Sequence, residues 1–342
     1  VTISTSGFVA SQMPEALNKA LEQRFLETGS PKNLTLFYAA AQGNRDGSGA
    51  DHFAHEGMLK RVVGGHYNMV PELGKLIIAN KLEAYNLPQG TLSQLFRDVA
   101  AHKLGTLTHV GLNTFADPRI EGGKLNSVTT EDIVEVVEVL GQERLLYKAI
   151  PVDIAFIRGS IADENGNVTL EHECCTNEAT SIAQAAKNSG GKVIVQVEKV
   201  VQAGSVDPKL VKIPGVYVDA LVVCDSKEDH AQCQGCEYDG SMTGDFRVPL
   251  GSLEYPPMSA KKIIGRRAAM ELEPNKVVNL GIGIPEYISM VANEEGIGDY
   301  MTLTVEAGPV GGVPQGGPKF GGSVNVEAIL DQPYQFDFYD GG

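Results

Sequence analysis

A single acid set between a strand-like run and a glycine-rich loop has the clearest potential for chemistry in this sequence. In "TLTVEAGPVGG", Thr302 to Gly312, apolar and β-branched residues end at Val305, Glu306 follows, and the chain then turns to glycine. A lone carboxylate at the end of a strand suited to burial costs stability unless chemistry needs it. Three readings are open: a surface acid at a strand end, a partner for an Arg distant in sequence, or a nucleophile. The loop "AGPVGGVPQGG" favours the nucleophile, because it combines Gly308, Gly311, Gly312, Gly316 and Gly317 with two prolines. Backbone N–H groups unobstructed by side chains, in a stiffened loop, are how an oxyanion hole is made beside a reacting carboxylate. On that reading Gly311 and Gly312 are the expected donors.

Other motifs carry less. "GIGIPE", Gly281 to Glu286, follows a strand but has Glu286 where a dinucleotide fingerprint needs its third glycine. Gly281 and Gly283 read instead as a turn that lets backbone approach an acyl chain or pantetheine, with plain turn sterics as the alternative. "CQGC", Cys233 to Cys236, has CxxC spacing without a second pair. The five cysteines are therefore expected as free thiols in a reducing cytoplasm, ahead of a zinc or redox role. "EHECC" (Glu171 to Cys175) and "HFAHE" (His52 to Glu56) match no complete site and read as ordinary surface chemistry. No metal is expected. "DENGN", Asp163 to Asn167, reads as a β-hairpin turn between two strand-like runs.

The elements that must position Glu306 come from an alternating pattern. Strand-like runs ("VTISTS", "LTLFYAAA", "LIIANKLEAYNL", "DIAFIRGSIA", "KVIVQVEKV", "ALVVCD") alternate with helical ones such as "PEALNKALEQRFLETG", "TLSQLFRDVAAHKLG" and "NEATSIAQAAKNSGG". This predicts an α/β sheet with helices packed on it. A polar, Gly- and Pro-containing stretch, 226–258, reads as the connection between a first domain, 1–225, and a second that starts at 259 with "SAKKIIGRRAAMEL".

An internal repeat links the two units. "VTISTSGFVASQMPEAL" and "VVNLGIGIPEYISMV" each run from a strand through a glycine turn to Pro-Glu at a helix start, Pro14-Glu15 and Pro285-Glu286. The following strands, "LTLFYAAAQG" and "MTLTVEAGPVGG", align so that Ala39 occupies the position of Glu306. A residue required by the fold would appear in both copies. The second unit, 259–342, offers two or three of its counterpart's strands, so we expect it to be incomplete here and completed by further C-terminal sequence.

Composition sets outer limits. A net charge of −15 argues against nucleic acid, and the longest apolar runs are too short to span a bilayer. With 42% apolar and 21% charged residues, the chain is of ordinary globular composition.

At this point the sequence resembles the family I CoA-transferases, of the single-chain acetate/propionate type, along its whole length. "STSGFVASQMPE", "NLPQGTL", "GLNTFADPR" and "GGKLN" are similar to family segments, and "VEAGPVGGVPQGG" is the most specific. The resemblance implies two repeated open α/β domains, a catalytic glutamate at Glu306, and a first-domain acyl pocket that includes Gln89 and Gly7. It also implies coenzyme A as a substrate with no permanently bound cofactor, acyl-CoA and short-chain carboxylate partners, a homo-oligomer, and a cytoplasmic location. The expected reaction is ping-pong transfer of CoA through a glutamyl-CoA thioester. Lys261, Lys262, Arg266 and Arg267 could meet CoA phosphates, although a solvated helix face is the better expectation. Two alternatives stand beside this: an acyl-CoA hydrolase on the same scaffold, and a non-catalytic assembly subunit.

Overall fold

A computed structural model describes residues 1–339. The first part runs β1 (Thr2–Thr5), α1 (Glu15–Thr28), β2 (Leu34–Phe37), β3 (Leu59–Gly64), α2 (Pro71–Ile78), β4 (Glu83–Asn86) and α3 (Gln89–Ala100). A three-stranded antiparallel sheet follows, of β5 (Gly105–Thr108), β6 (Val134–Val139) and β7 (Gln142–Lys148). The chain then continues through β8 (Ile154–Arg158), β9 (Ile161–Asp163), β10 (Val168–Thr169), α4 (Ala179–Asn188), β11 (Lys192–Val197), β12 (Lys199–Val201), β13 (Val211–Ile213) and β14 (Ala220–Val223).

Seven of these strands form one parallel sheet in the order β14-β11-β8-β1-β2-β3-β4. All four residues of β2 are buried, as expected for a strand covered on both faces. The chain leaves β1 toward β2 and later returns to β8 on its other side, so the direction of winding reverses around β1. In open α/β sheets such a reversal leaves a crevice at the carboxyl ends of the strands, and here the Ser6–Gln12 loop occupies it.

The remaining elements are α5 (Ala260–Ala269), β15 (Val277–Asn279), α6 (Glu286–Glu294), β16 (Thr302–Thr304), β17 (Pro309–Val310), β18 (Val313–Pro314), β19 (Ser323–Val324), β20 (Ala328–Ile329) and α7 (Gln332–Tyr339). Ser259 starts α5, its hydroxyl accepting from the Lys262 N–H at 3.2 Å. The repeat read from the sequence is present in space: β1-α1-β2 and β15-α6-β16 are both parallel strand–helix–strand units. Ala39 lies two residues beyond β2 and Glu306 two residues beyond β16. The copies diverge there, because β16 folds back on β17 as an antiparallel pair with Thr304 opposite Val310.

The structure corrects several expectations. The start of "LIIANKLEAYNL" is helical: Leu76, Ile77 and Ile78 end α2, which Pro71 opens at its first turn and whose buried Leu73 and Ile77 are spaced four apart. A short apolar run does not distinguish a buried strand from a helix face. The β6–β7 hairpin was not foreseen; its turn is Leu140-Gly141, both with positive φ. "HFAHE" and "EHECC" are not surface chemistry at their centres. His52 is buried between Glu15 (2.7 Å) and Glu22 (2.5 Å), and Glu22 also reaches His55 at 2.6 Å. Glu173 is buried in an ion pair with Arg158 at 3.0 Å, and Cys174 and Cys175 are buried beside it in sequence. In "KKIIGRR", Lys262 is buried and paired with Glu294 at 2.6 Å rather than solvated. The hairpin expected at "DENGN" is found between β9 and β10, with Gly166 at positive φ.

Residues 226–258 contain no strand, only two short 3₁₀ turns, yet they are packed on both sides. The Gln234 N–H donates to Ala10 O at 2.9 Å, and Cys233 bridges Ser11. Lys319 pairs with Asp239 at 3.1 Å, while Asn325 exchanges two hydrogen bonds with the Val248 backbone at 2.8 and 2.9 Å.

Candidate active site

Glu306 stands on a tight turn. The Gly308 N–H donates to Val305 O at 3.1 Å, closing a four-residue reversal in which Glu306 is the first free position. Its neighbours anchor the turn in the first part of the chain. Val305 and Ala307 are buried in one apolar cluster with Phe8, Val9, Ala10, Ala40 and Ala41 from the ends of β1 and β2. Phe320 stacks on Phe8 with ring centres 5.6 Å apart. Burying a valine side chain contributes about 1.5–3 kcal/mol, enough to hold a short turn in place. The carboxyl ends of β15 and β16 thus meet the carboxyl end of the large sheet, and Glu306 projects at that seam.

The carboxyl is poorly solvated. Glu306 as a residue keeps some exposure, but its Oε2 is out of contact with solvent and has no hydrogen-bond partner among the described residues. Burial pushes the group up to about 7, against smaller opposing effects from its own backbone N–H and the Asn279 side chain. Asn279 is the last residue of β15 and pairs in register with Thr304. Among the described residues, no cation is one of the groups that shift Glu306. A carboxylate left without a counter-charge in a dry site is a stronger nucleophile than a hydrated one.

Phe8, Val9 and Ala10 of the Ser6–Gln12 loop share the apolar cluster of Val305 and Ala307. Val9 sits at φ 51°, a conformation unusual for a β-branched residue. It is fixed by its N–H to Ala41 O at 2.9 Å and by the Gly43 N–H to its own carbonyl at 2.7 Å. Holding such a residue there costs about 1–3 kcal/mol, a cost that tends to be met where a site needs the geometry.

A coenzyme A transferase family model matches residues 1–224. The chain belongs to the coenzyme A transferase family. It is 43% identical over all of its length to the caffeate CoA-transferase of Acetobacterium woodii, of which it spans 65%. It is 42% identical over 94% of its length to the acetate CoA-transferase YdiF of Escherichia coli K12, spanning 60% of that protein. A solved thioester complex of YdiF from Escherichia coli O157:H7 with CoA superposes with a TM-score of 0.91 at 39% identity, covering 100% of this chain and 64% of that one.

In this CoA-transferase chain the other predicted site residues divide into two groups. Gly7 is buried two residues past β1, and Gln89 opens α3 just past β4, so both lie beyond the carboxyl ends of strands of the large sheet. The Gln89 Nε2 is buried without a partner among the described residues. Gly281 and Gly283 lie in the turn after β15, next to Glu306 through the β15–β16 pairing, and open space surrounds the positions their side chains would take.

Gly311 and Gly312 are placed elsewhere. The Gly311 N–H is used by Leu303 O at 2.9 Å, three residues back along the chain from Glu306. Both glycines line a cavity of about 490 Å³ with Arg247, Asn293 and Glu327. Their φ values are 75° and 71°, and an added Cβ would come within 2.5 Å of Glu327 at Gly311 and 2.2 Å of Val324 O at Gly312. Close approach of a neighbouring chain segment by itself requires glycine at these two positions.

Sequence reasoning missed several residues. Glu178 is buried just before α4, where burial pushes it up to about 7 and the Ser93 hydroxyl on α3 donates to it at 2.6 Å. Gln12, buried in the loop after β1, accepts from Asn177 Nδ2 at 2.6 Å. Gln335 and Tyr339 of α7 contact the turn and strand that carry Glu306. The available signal was a polar residue inside a largely buried run, as with Gln335 in "DQPYQF".

Proposed function

We propose that this chain catalyses CoA transfer between a short-chain acyl-CoA and a free carboxylic acid, acetate, propionate or similar, with Glu306 as nucleophile. The Glu306 carboxylate attacks the donor thioester, forming an acyl–glutamyl anhydride and expelling CoA thiolate. The thiolate attacks the glutamyl carbonyl, releasing the first acid and leaving a glutamyl-CoA thioester on the enzyme. The incoming acid runs the same steps in reverse, so each thioester lost is replaced by another. The observation that carries this reading is the dry, uncompensated carboxyl of Glu306 on its tight turn. Supporting it are the free Gln89 amide on the acyl side and the open Gly281–Gly283 turn, where a pantetheine arm could pass. Names carried by relatives extend the acceptor range to arylacrylic acids such as caffeate.

Residues 1–225 and 259–342 act as two CoA-transferase domains joined by 226–258, in a cytoplasmic homo-oligomer. The large sheet ends with Val223 and α5 begins at Ala260, which supports that division. The test is incubation of the protein, at its full natural length, with acyl-CoA followed by peptide mass spectrometry. A CoA-sized adduct on the peptide containing Glu306, absent from Glu306→Ala, is expected. No adduct in the unsubstituted protein would sink the mechanism.

A further inference from the structure

The turn that carries Glu306 is gripped by α7. Gln335 is buried, and its Nε2 lies 3.4 Å from Val305 O, 3.4 Å from Gly308 O and 3.5 Å from Pro309 O. All three acceptors flank Glu306 within one reversal of the chain, so a single amide sits at its hub. Each contact is long, and together they tie both limbs of the turn to one donor. One helical turn onward, the Tyr339 hydroxyl donates to Oγ1 of Thr304, the last residue of β16. Residues four apart share a helix face, so both grips act from the same side. Burial raises the Tyr339 hydroxyl, the bond to Thr304 opposes this, and the Glu306 charge adds to the rise, in keeping with the nearness of the two groups.

Other positions of α7 hold the first part of the chain. Arg97 lies over the Tyr334 ring at 5.0 Å, and Asp337 accepts from Gln94 Nε2 at 2.8 Å and from Arg97 at 3.0 Å. Gln94 and Arg97 belong to α3, whose first residue is Gln89. At the start of α7 the Gln332 N–H donates to Asn177 O at 3.0 Å.

We propose that α7 is a bracket between the nucleophile turn and the helix that carries Gln89, and that Gln335 and Tyr339 are positioning residues for Glu306. This rests on the reading of Glu306 as nucleophile. The bracket fixes the separation of the attacking oxygen and the bound acyl group, a quantity to which rate is steeply sensitive, since a misplacement of about 1 Å can cost roughly 10²-fold.

The experiment compares Tyr339→Phe and Gln335→Leu with the unsubstituted protein at its full natural length. It reads the single-turnover rate of CoA adduct formation on Glu306 together with kcat and KM for acyl-CoA. Tyr339→Phe should lower the adduct rate and kcat about 10-fold and Gln335→Leu about 10²-fold, with KM held within about 2-fold. Arg97→Ala, which loosens only the outer side of the bracket, should lower kcat in the same manner. If Gln335→Leu does not fold, Tyr339→Phe, which keeps the ring, decides the matter alone. An unchanged adduct rate in Tyr339→Phe, or a loss confined to melting temperature, overturns the bracket. Failure of the unsubstituted protein to form any adduct overturns the nucleophile reading itself, a result distinguishable from the first.

Discussion

Replacing Glu306 with glutamine should make the folded protein more stable at pH 8, and by much less at pH 5.5. Burial pushes this carboxyl up to about 7, from an ordinary value of 4.5. The folded state therefore holds the proton more tightly than the unfolded chain does. Its stability falls as pH rises from 4.5 toward 7, and the full penalty is present above 7. At roughly 1.4 kcal/mol per pH unit the gap corresponds to about 3 kcal/mol. The residue keeps some solvent contact although Oε2 does not, so the expected gain for Glu306→Gln is about 1–3 kcal/mol at pH 8. At pH 5.5, closer to the unfolded value, less than half of that gain remains. Urea unfolding of both proteins at the two pH values measures the difference. Glu178, also pushed up to about 7 by burial, has the same sign but is present in both proteins and cancels. A gain that does not grow with pH, or a glutamine variant less stable at pH 8, would refute the account of Glu306 as a carboxylate charged at a cost.

Adduct formation should rise with pH and level off above about 7, because the attacking form of Glu306 is the ionised one; stopped reactions analysed by mass spectrometry give the profile. Arg158→Met strands the buried Glu173 charge and should lower stability by about 3–5 kcal/mol, read by urea titration, with Arg158→Met/Glu173→Leu recovering much of the loss. Gly312→Ala places a Cβ 2.2 Å from Val324 O in a left-handed conformation. It should destabilise by about 1–3 kcal/mol, seen as a lowered melting temperature. His52 is pulled down by burial, but Glu15 and Glu22 outweigh this and hold it raised. Its contribution is thus complete below pH 6.5 and fades as pH climbs through the raised value, so His52→Gln should lower the melting temperature more at pH 6 than at pH 9.

The repeat and the place of Glu306 just past its strand were legible because both are written locally. A β-branched run, a glycine turn and Pro-Glu specify a strand, a reversal and a helix start within 15 or so residues of one another. The equivalence of Ala39 and Glu306 survived into three dimensions, each two residues past its strand. The steric need for glycine at 311 and 312 was not legible. Glycine signals positive φ, close approach or a free donor alike, and only the positions of Val324 and Glu327 show the close approach. The burial of His52 and Glu173 was hidden for a related reason: their partners Glu15 and Arg158 lie far from them in sequence or on another element. The partners of Gln335 were out of reach because they are backbone carbonyls, which leave no trace in residue type.

The stretch from 226 to 258 reads by composition as a slack tether, and its contacts make it something else. It is fastened to the loop after β1 through Cys233 and Gln234, and to the region after β18 through Asp239 and Val248. Swinging the two sheets apart would have to unpick those bonds and part the Phe8–Phe320 stack in the same movement. The segment is a splint, not a hinge. Rearrangement around Glu306 is therefore left to small side-chain movements, rather than to opening and closing of two independent bodies.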